Sequence, residues 1–189
     1  MTPDLHAWAS DLAELHAQVW ARLVRGVRDR RAPTRHPTLA TVTPDGRPQA
    51  RTVVLRAADK QAGSLEIHTD LQSSKIKDLR VAPVAALHVW DASAHLQLRM
   101  EASVLIRTGQ DAAAIWAGMS EPSRLSYGGS PAPGEPVCES LAYHKLADPA
   151  SFAVLHLSIQ TIDVLHLGPN HRRARFDRAD NWNGAWLVP

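Results

Sequence analysis

The sequence predicts a mainly β domain, an antiparallel barrel preceded by one helix. Two observations point there. Leu5, Trp8, Leu12, Leu15, Val19 and Leu23 recur at spacings of three and four, which lines up one apolar face of a helix. From residue 38 onward, short β-prone runs follow one another between turn signals, with few helical stretches among them. Strands in succession without crossover helices favour an antiparallel barrel over a doubly wound parallel sheet.

Taken in order, residues 3–30 are expected to be helical, with Thr2 as N-cap, Pro3 at the first helical position and Asp4 in the first turn. Residues 25–31 form a basic run near the helix end, where cations suit the dipole. A solvated helix terminus explains that run more simply than nucleic-acid contact does. Pro33 and Pro37 stop the helix. Residues 38–42 and 50–56 read as the two strands of a hairpin around the turn signal Pro44-Asp45-Gly46. Gly63 marks the next turn, and residues 64–69 a third strand. Residues 73–80 read as a short helix closed by Pro83. The apolar run 84–90 is expected to be a buried strand. Residues 96–107 alternate, with Leu96, Leu98 and Met100 on one face and Gln97, Arg99 and Glu101 on the other. Residues 110–118 are Ala-rich and helical in propensity. Residues 120–136, with glycines and prolines throughout, read as a loop, and loops of that length are more often functional or mobile than inert. Residues 152–167 form a long strand or a bent pair, and residues 172–177 and 186–188 can each add a short one.

The chain has 189 residues, 44% hydrophobic and 21% charged, with a net charge of +2. These values are ordinary for a globular domain and do not indicate a general polyanion binder. Cys138 is the only cysteine, so no intramolecular disulfide forms. A cytoplasmic location is the expectation. Asp4, Asp11 and Glu14 break up the N-terminal apolar residues in a way that does not resemble a signal peptide. No run approaches the ~20 apolar residues of a membrane helix.

The chemistry concentrates in two segments. Arg51-Thr52-Val53-Val54-Leu55-Arg56 places cations on a strand, and His68-Thr69-Asp70-Leu71-Gln72-Ser73-Ser74-Lys75 ends a strand in a hydroxyl-rich turn before a helix. Free amides at a helix N-terminus, two serine hydroxyls, the Lys75 ammonium and the Arg51 guanidinium are the groups that seat a phosphate. The plainer reading makes Ser73 or Ser74 an N-cap and Lys75 a surface charge. Arg51 and Arg56 lie five apart, so on a regular strand they point to opposite faces and do two different jobs.

At these residues the sequence resembles the pyridoxamine 5′-phosphate oxidase-like, FMN-binding split-barrel family. That family carries an Arg-x-Val-Leu-Leu-Lys strand and then an aromatic-Thr-Asn turn ending in Ser-Arg-Lys. The resemblance runs from about residue 38 to residue 105 and is weaker toward the C-terminus. It implies a six-stranded antiparallel split β-barrel, usually a homodimer with FMN at the subunit interface. Residues 1–32 would then be a helix packed on the barrel or on the dimer partner, and residues 33–189 the FMN-binding domain. The implied cofactor site comprises Arg51, Thr52, Val53, Val54, His68, Thr69, Ser73, Ser74, Lys75, Gln97 and Arg175. Among these, Arg51, Ser74 and Lys75 would hold the FMN phosphate, and Val53, Val54, Thr69 and Gln97 would line the ribityl chain and ring. The implied substrate-side groups are Arg56, Ser123, His171 and Arg173.

Departures from the family pattern fall on the substrate side. Ile115 stands where the oxidase has a Tyr and Met119 where it has an Arg, and only Ser123 survives of that set. Arg124 can replace the missing arginine from a shifted loop. His166 stands in place of a Trp, and the substrate-side Arg and His become His171 and Arg173. An FMN-dependent oxidoreductase with an altered substrate pocket is therefore expected. The alternatives are a genuine pyridoxamine/pyridoxine 5′-phosphate oxidase, or a non-catalytic split barrel holding flavin or haem. No metal site is expected, because His156, His166 and His171 lack a Cys or carboxylate to complete a set. Trp182 and Trp186 either pack or stack on a flavin.

Overall fold

The structure, a computed structural model, describes residues 6–189. The expected N-cap Thr2, with Pro3 and Asp4, lies outside the described residues. The N-terminal helix is not continuous from residue 3. A 3-10 turn at Ala7–Ser10 comes first, and helix α1 then spans Leu12–Arg28. The break is at Asp11, whose extended backbone and side chain cap the helix by accepting from the Glu14 amide at 2.8 Å. The apolar stripe is buried: Leu15, Val19, Trp20 and Leu23 are each at most 1% exposed.

Nine strands follow: β1 (Thr38–Val42), β2 (Pro48–Thr52), β3 (Leu55–Asp59), β4 (Ser64–Asp70), β5 (Val84–Asp91), β6 (Leu96–Arg107), β7 (Phe152–His166), β8 (Arg172–Asp177) and β9 (Gly184–Leu187). The count exceeds the expected six because the second hairpin strand is divided in two and the C-terminal segments add β8 and β9. Three further helices are α2 (Ser74–Val81), α3 (Gln110–Ala117) and α4 (Glu121–Arg124). The last of these stands within the segment expected to be only loop.

All pairings are antiparallel, in the order β2-β1-β5-β6-β7-β4-β3, with β8 on β7 and β9 on β8. The two ends of this order, β2 and β3, are consecutive in the chain. The expected strand 50–56 is broken at Val53 and Val54, where the chain passes from one edge of the sheet to the other. The Val53 amide bonds the Pro37 carbonyl at 3.0 Å there. This is a mainly β split barrel with flanking helices.

The expectation for β5 also needs correcting. Its residues alternate between exposed and buried rather than being buried throughout. Val84 is 55% and Trp90 43% exposed, on the face away from the core. Trp20 closes the core, Trp182 stacks on His16 at 5.8 Å, and Trp186 is exposed. None of the described helices is long and apolar enough to cross a membrane.

Helix α1 is fixed to the barrel through residues 33–35. The Thr34 hydroxyl donates to the Arg22 carbonyl at 2.6 Å, and Arg35 donates to the carbonyls of Val27 at 2.6 Å and Leu55 at 3.1 Å. Gly26 permits this approach, since a Cβ there would lie 2.4 Å from Thr34 Oγ1 and 2.8 Å from its carbonyl carbon. Alanine normally favours a helix over glycine by about 1 kcal/mol. Here the backbone clash reverses the sign, and Gly26→Ala is expected to destabilise the fold by roughly 1–3 kcal/mol in chemical denaturation.

Candidate functional site

Arg51 projects from β2 beside Leu39, its partner in register on β1. Its guanidinium donates to Thr41 Oγ1 at 2.6 Å and pairs with Asp78 at 3.6 Å. Thr41 in turn donates to Asp78 Oδ2 at 2.6 Å. Asp78 lies one turn along α2 from Lys75, so α2 carries both a cation of the site and the carboxylate that orients the other. Thr41 and Asp78 were missed in the sequence reading. Hairpin register puts Thr41 diagonal to Arg51, which is a visible signal, but the Asp78 contact needs the three-dimensional placement of α2.

Lys75 donates to Thr69 Oγ1 at 2.9 Å, and Thr69 lies 3.2 Å from Ser73 Oγ. Ser73 occupies the N-cap position of α2, but its hydroxyl makes no cap bond and donates to the Asp70 carbonyl at 2.7 Å. The first amides of α2 thus lack the cap expected from the plainer reading. Ser74 is exposed beside them. Burial pulls the Lys75 ammonium below its usual range, the Arg51 charge adds to this, and Asp70 and Asp78 oppose it. Two cations crowded at a helix N-terminus form a seat that an anion relieves.

Val53 is buried and Val54 half-buried at the strand break, and Thr52 is exposed on the outer face. His68, on β4, stands edge-on to Phe152 at 5.2 Å. Arg56 lies at an irregularity of the β3–β4 register. Its charge and the burial of His68 act together there. Burial, the larger cause, and Arg56 lower the His68 pKa to about 4. Asp70 bonds two segments, accepting from the Gln72 amide at 2.8 Å and from the buried Gly128 amide at 2.7 Å. Asp70 was not foreseen as a tie between the seat and the 120–148 segment.

The remaining expected residues lie elsewhere. Thr69 faces Ala153 on β7, whereas Gln97 faces Leu165, which also faces Arg173. Those positions are separated along β7 by a contour of about 40 Å. Gln97 alternates with buried Leu96 and Leu98, so it is on the outer face. Arg173 holds Asp163 at 2.8 Å, a carboxylate shared with Arg99 at 2.7 Å. Arg175 is exposed and paired with Asp177 at 2.9 Å, and His171 is exposed ahead of β8. Ser123, in α4, hydrogen-bonds Ser120 at the helix's N-cap position. Arg124 does not offer a spare cation: it donates to the carbonyls of Trp116 and Ala117 and lies over the Trp116 ring. His166 is buried and bonded to His6 at 2.8 Å. Among the described residues, no three metal-ligating side chains converge.

The His68 shift fixes a pH dependence. In the unfolded chain this imidazole takes up its proton near pH 6.5, whereas in the fold it stays neutral down to about 4. The unfolded state therefore binds more protons between these values, and the stability His68 contributes is present above pH 6.5 and lost as pH falls to about 4. Thermal melting followed across this window should show the loss, and His68→Asn should flatten that part of the profile.

Comparison with known proteins places the chain. Residues 17–108 match the pyridoxamine 5′-phosphate oxidase, FMN-binding domain. The chain is 28% identical over 174 residues to pyridoxine/pyridoxamine 5′-phosphate oxidase 2 of Arabidopsis thaliana, covering 83% of this chain and 87% of that one. It is 37% identical over 91 residues to the pyridoxine/pyridoxamine 5′-phosphate oxidase of Xanthomonas euvesicatoria, a match spanning 47% of this chain and under half of that enzyme, 45%. A crystal structure of a pyridoxamine 5′-phosphate oxidase-related, FMN binding protein from Nostoc punctiforme superposes with a TM-score of 0.69 at 27% identity, covering 98% of this chain and 99% of that one. PhzG from Burkholderia lata shares the fold, with a TM-score of 0.72 at 19% identity and 98% of each chain covered. The split barrel, the Arg51-to-Lys75 segment and these matches agree: the chain is similar to the pyridoxamine 5′-phosphate oxidase-like, FMN-binding split-barrel proteins.

Proposed function

We propose that this protein binds FMN and acts as an FMN-dependent oxidoreductase related to pyridoxamine 5′-phosphate oxidase, with an altered substrate pocket. The observation that carries this reading is the convergence of Arg51 from β2, Thr69 from β4 and Lys75 from α2 at one helix N-terminus whose cap hydroxyl is turned away. These residues fit a phosphate monoester. Two cations meet its charge, and the open amides and hydroxyls meet its oxygens. FMN, when bound, supplies the redox chemistry, and the protein positions it. In this reading Asp78 and Thr41 aim Arg51, and Thr69 holds Lys75 toward the phosphate.

The functional unit we infer is a homodimer. Gln97, Arg173 and Arg175 lie on the outer face, far along β7 from the phosphate seat, so one chain does not gather all the groups the family resemblance assigns to FMN and substrate. The same face exposes Val84 and Trp90 and holds an apolar groove of about 480 Å³ lined by Val42, Pro48, Val84 and Ala86. Covering this face with a second copy buries exposed apolar surface and brings the outer row of one chain toward the seat of the other. Residues 6–32 then act as a helical clasp on the 33–189 barrel.

Replacing both Arg51 and Lys75 by Glu tests the seat. The double variant should lose stoichiometric FMN, measured by flavin fluorescence titration, while keeping its β-rich circular dichroism. A folded double variant that still binds one FMN per chain would remove the basis of the assignment. Light scattering on the unaltered protein should give twice the 20.7 kDa chain mass.

A further inference from the structure

A cavity of about 330 Å³ lies between the end of β4 and the segment at residues 125–145. Its walls are tied by hydrogen bonds. Asp70 accepts from the Gly128 amide at 2.7 Å, and Ser130 and His144 exchange backbone bonds at 3.0 and 2.8 Å. The volume is that of a site for a small molecule. Leu125, Val137 and Tyr143 all line it, and they are left 42%, 42% and 41% exposed. Pro131 and Pro133 extend the same apolar wall. Large apolar side chains left open around one cavity mark a surface for a ligand to cover.

Two exposed charges, Glu135 and Lys145, stand on the rim of this apolar wall. Neither side chain has a hydrogen-bond or ion-pair partner among the described residues, so they share one cavity without pairing with each other. Asp70, which also reaches the cavity, is engaged already. It accepts the amides of Gln72 and Gly128, and its charge acts on Lys75. Glu135 and Lys145 are therefore the charges left to meet a ligand.

We propose that this cavity binds an apolar amino acid or a closely similar zwitterion, its ammonium on Glu135, its carboxylate on Lys145 and its side chain against Leu125, Val137 and Tyr143. A ligand of one charge leaves one of the two side chains unmet, whereas a zwitterion meets both. Apolar contact supplies most of the affinity, because ion pairs at an exposed rim contribute little. The site is separate from the phosphate seat and does not rest on the flavin reading: Arg51, Thr69 and Lys75 are not among its walls.

The test is a ligand-observed NMR titration of the full chain with L-phenylalanine and two truncated forms of it. Phenethylamine lacks the carboxylate, and 3-phenylpropionate lacks the amine. L-phenylalanine should bind saturably, and about twofold to fivefold more tightly than either truncated form. Glu135→Gln should weaken L-phenylalanine and phenethylamine by a similar factor and leave 3-phenylpropionate unchanged. Lys145→Met should weaken L-phenylalanine and 3-phenylpropionate and leave phenethylamine unchanged. Both positions are exposed, so these variants keep the fold, as circular dichroism checks. Val137→Trp fills the cavity and should remove binding of all three probes. A truncated form that binds as tightly as L-phenylalanine, or affinities indifferent to both charge variants, overturns the proposal. Displacement of L-phenylalanine by FMN also overturns it, since the ligand would then sit in the flavin site. If the protein takes up no FMN, the flavin reading fails by itself and the same titrations decide this proposal.

Discussion

The passage of the chain through Val53 and Val54 is the constraint on which the rest depends. It joins β2, at one end of the strand order, to β3 at the other, so the sheet curls into a barrel without these edges pairing along their length. Val53 is nearly buried and bonded to Pro37, and Leu55 is fully buried with its carbonyl held by Arg35. The break also separates Arg51 from Arg56. Arg51 stays with β1 and meets α2, whereas Arg56 stays on β3 beside β4. A single regular strand would aim them to opposite faces of one sheet. Two strands on different edges give each its own set of neighbours.

Electrostatics then divides the work. At the proposed phosphate seat, burial and then the nearby Arg51 charge depress Lys75, with Asp70 and Asp78 offsetting part of this. The Asp70 carboxylate also receives the Gly128 amide, so the turn that carries the seat is tied to the segment that carries Tyr127. The outer face, in contrast, combines exposed apolar residues of β5 with the Arg99–Asp163–Arg173 network, a composition suited to an interface with a polar margin.

Much of this was legible in the residues, for identifiable reasons. The hairpin signals at Pro44-Asp45-Gly46 and Gly63, and the alternation of residues 96–107, state strand period and register directly. The Arg51 and Ser73-to-Lys75 segments carry, by composition, the cations and hydroxyls from which the proposed seat is argued. What was not legible depends on contacts distant in sequence. The division of residues 50–56 is set by competition between β1 and β4 for pairing, which no local propensity records. The exposed alternation of β5 was hidden because alanine and valine at 84–86 read as buried whichever way they point. Asp11, rather than the expected Thr2, caps α1, its side chain accepting from the Glu14 amide. Arg124 lost its expected role once the segment folded, since the backbone carbonyls of Trp116 and Ala117 took it up.

The central claim is that the Arg51–Thr69–Lys75 seat holds the phosphate of FMN. Its most direct test is an absorbance titration of the purified protein with FMN. The account expects a saturable shift of the flavin bands at one FMN per chain, with a dissociation constant of about a micromolar or tighter. No saturable change up to about 100 μM FMN, a hundredfold above that constant, would contradict it.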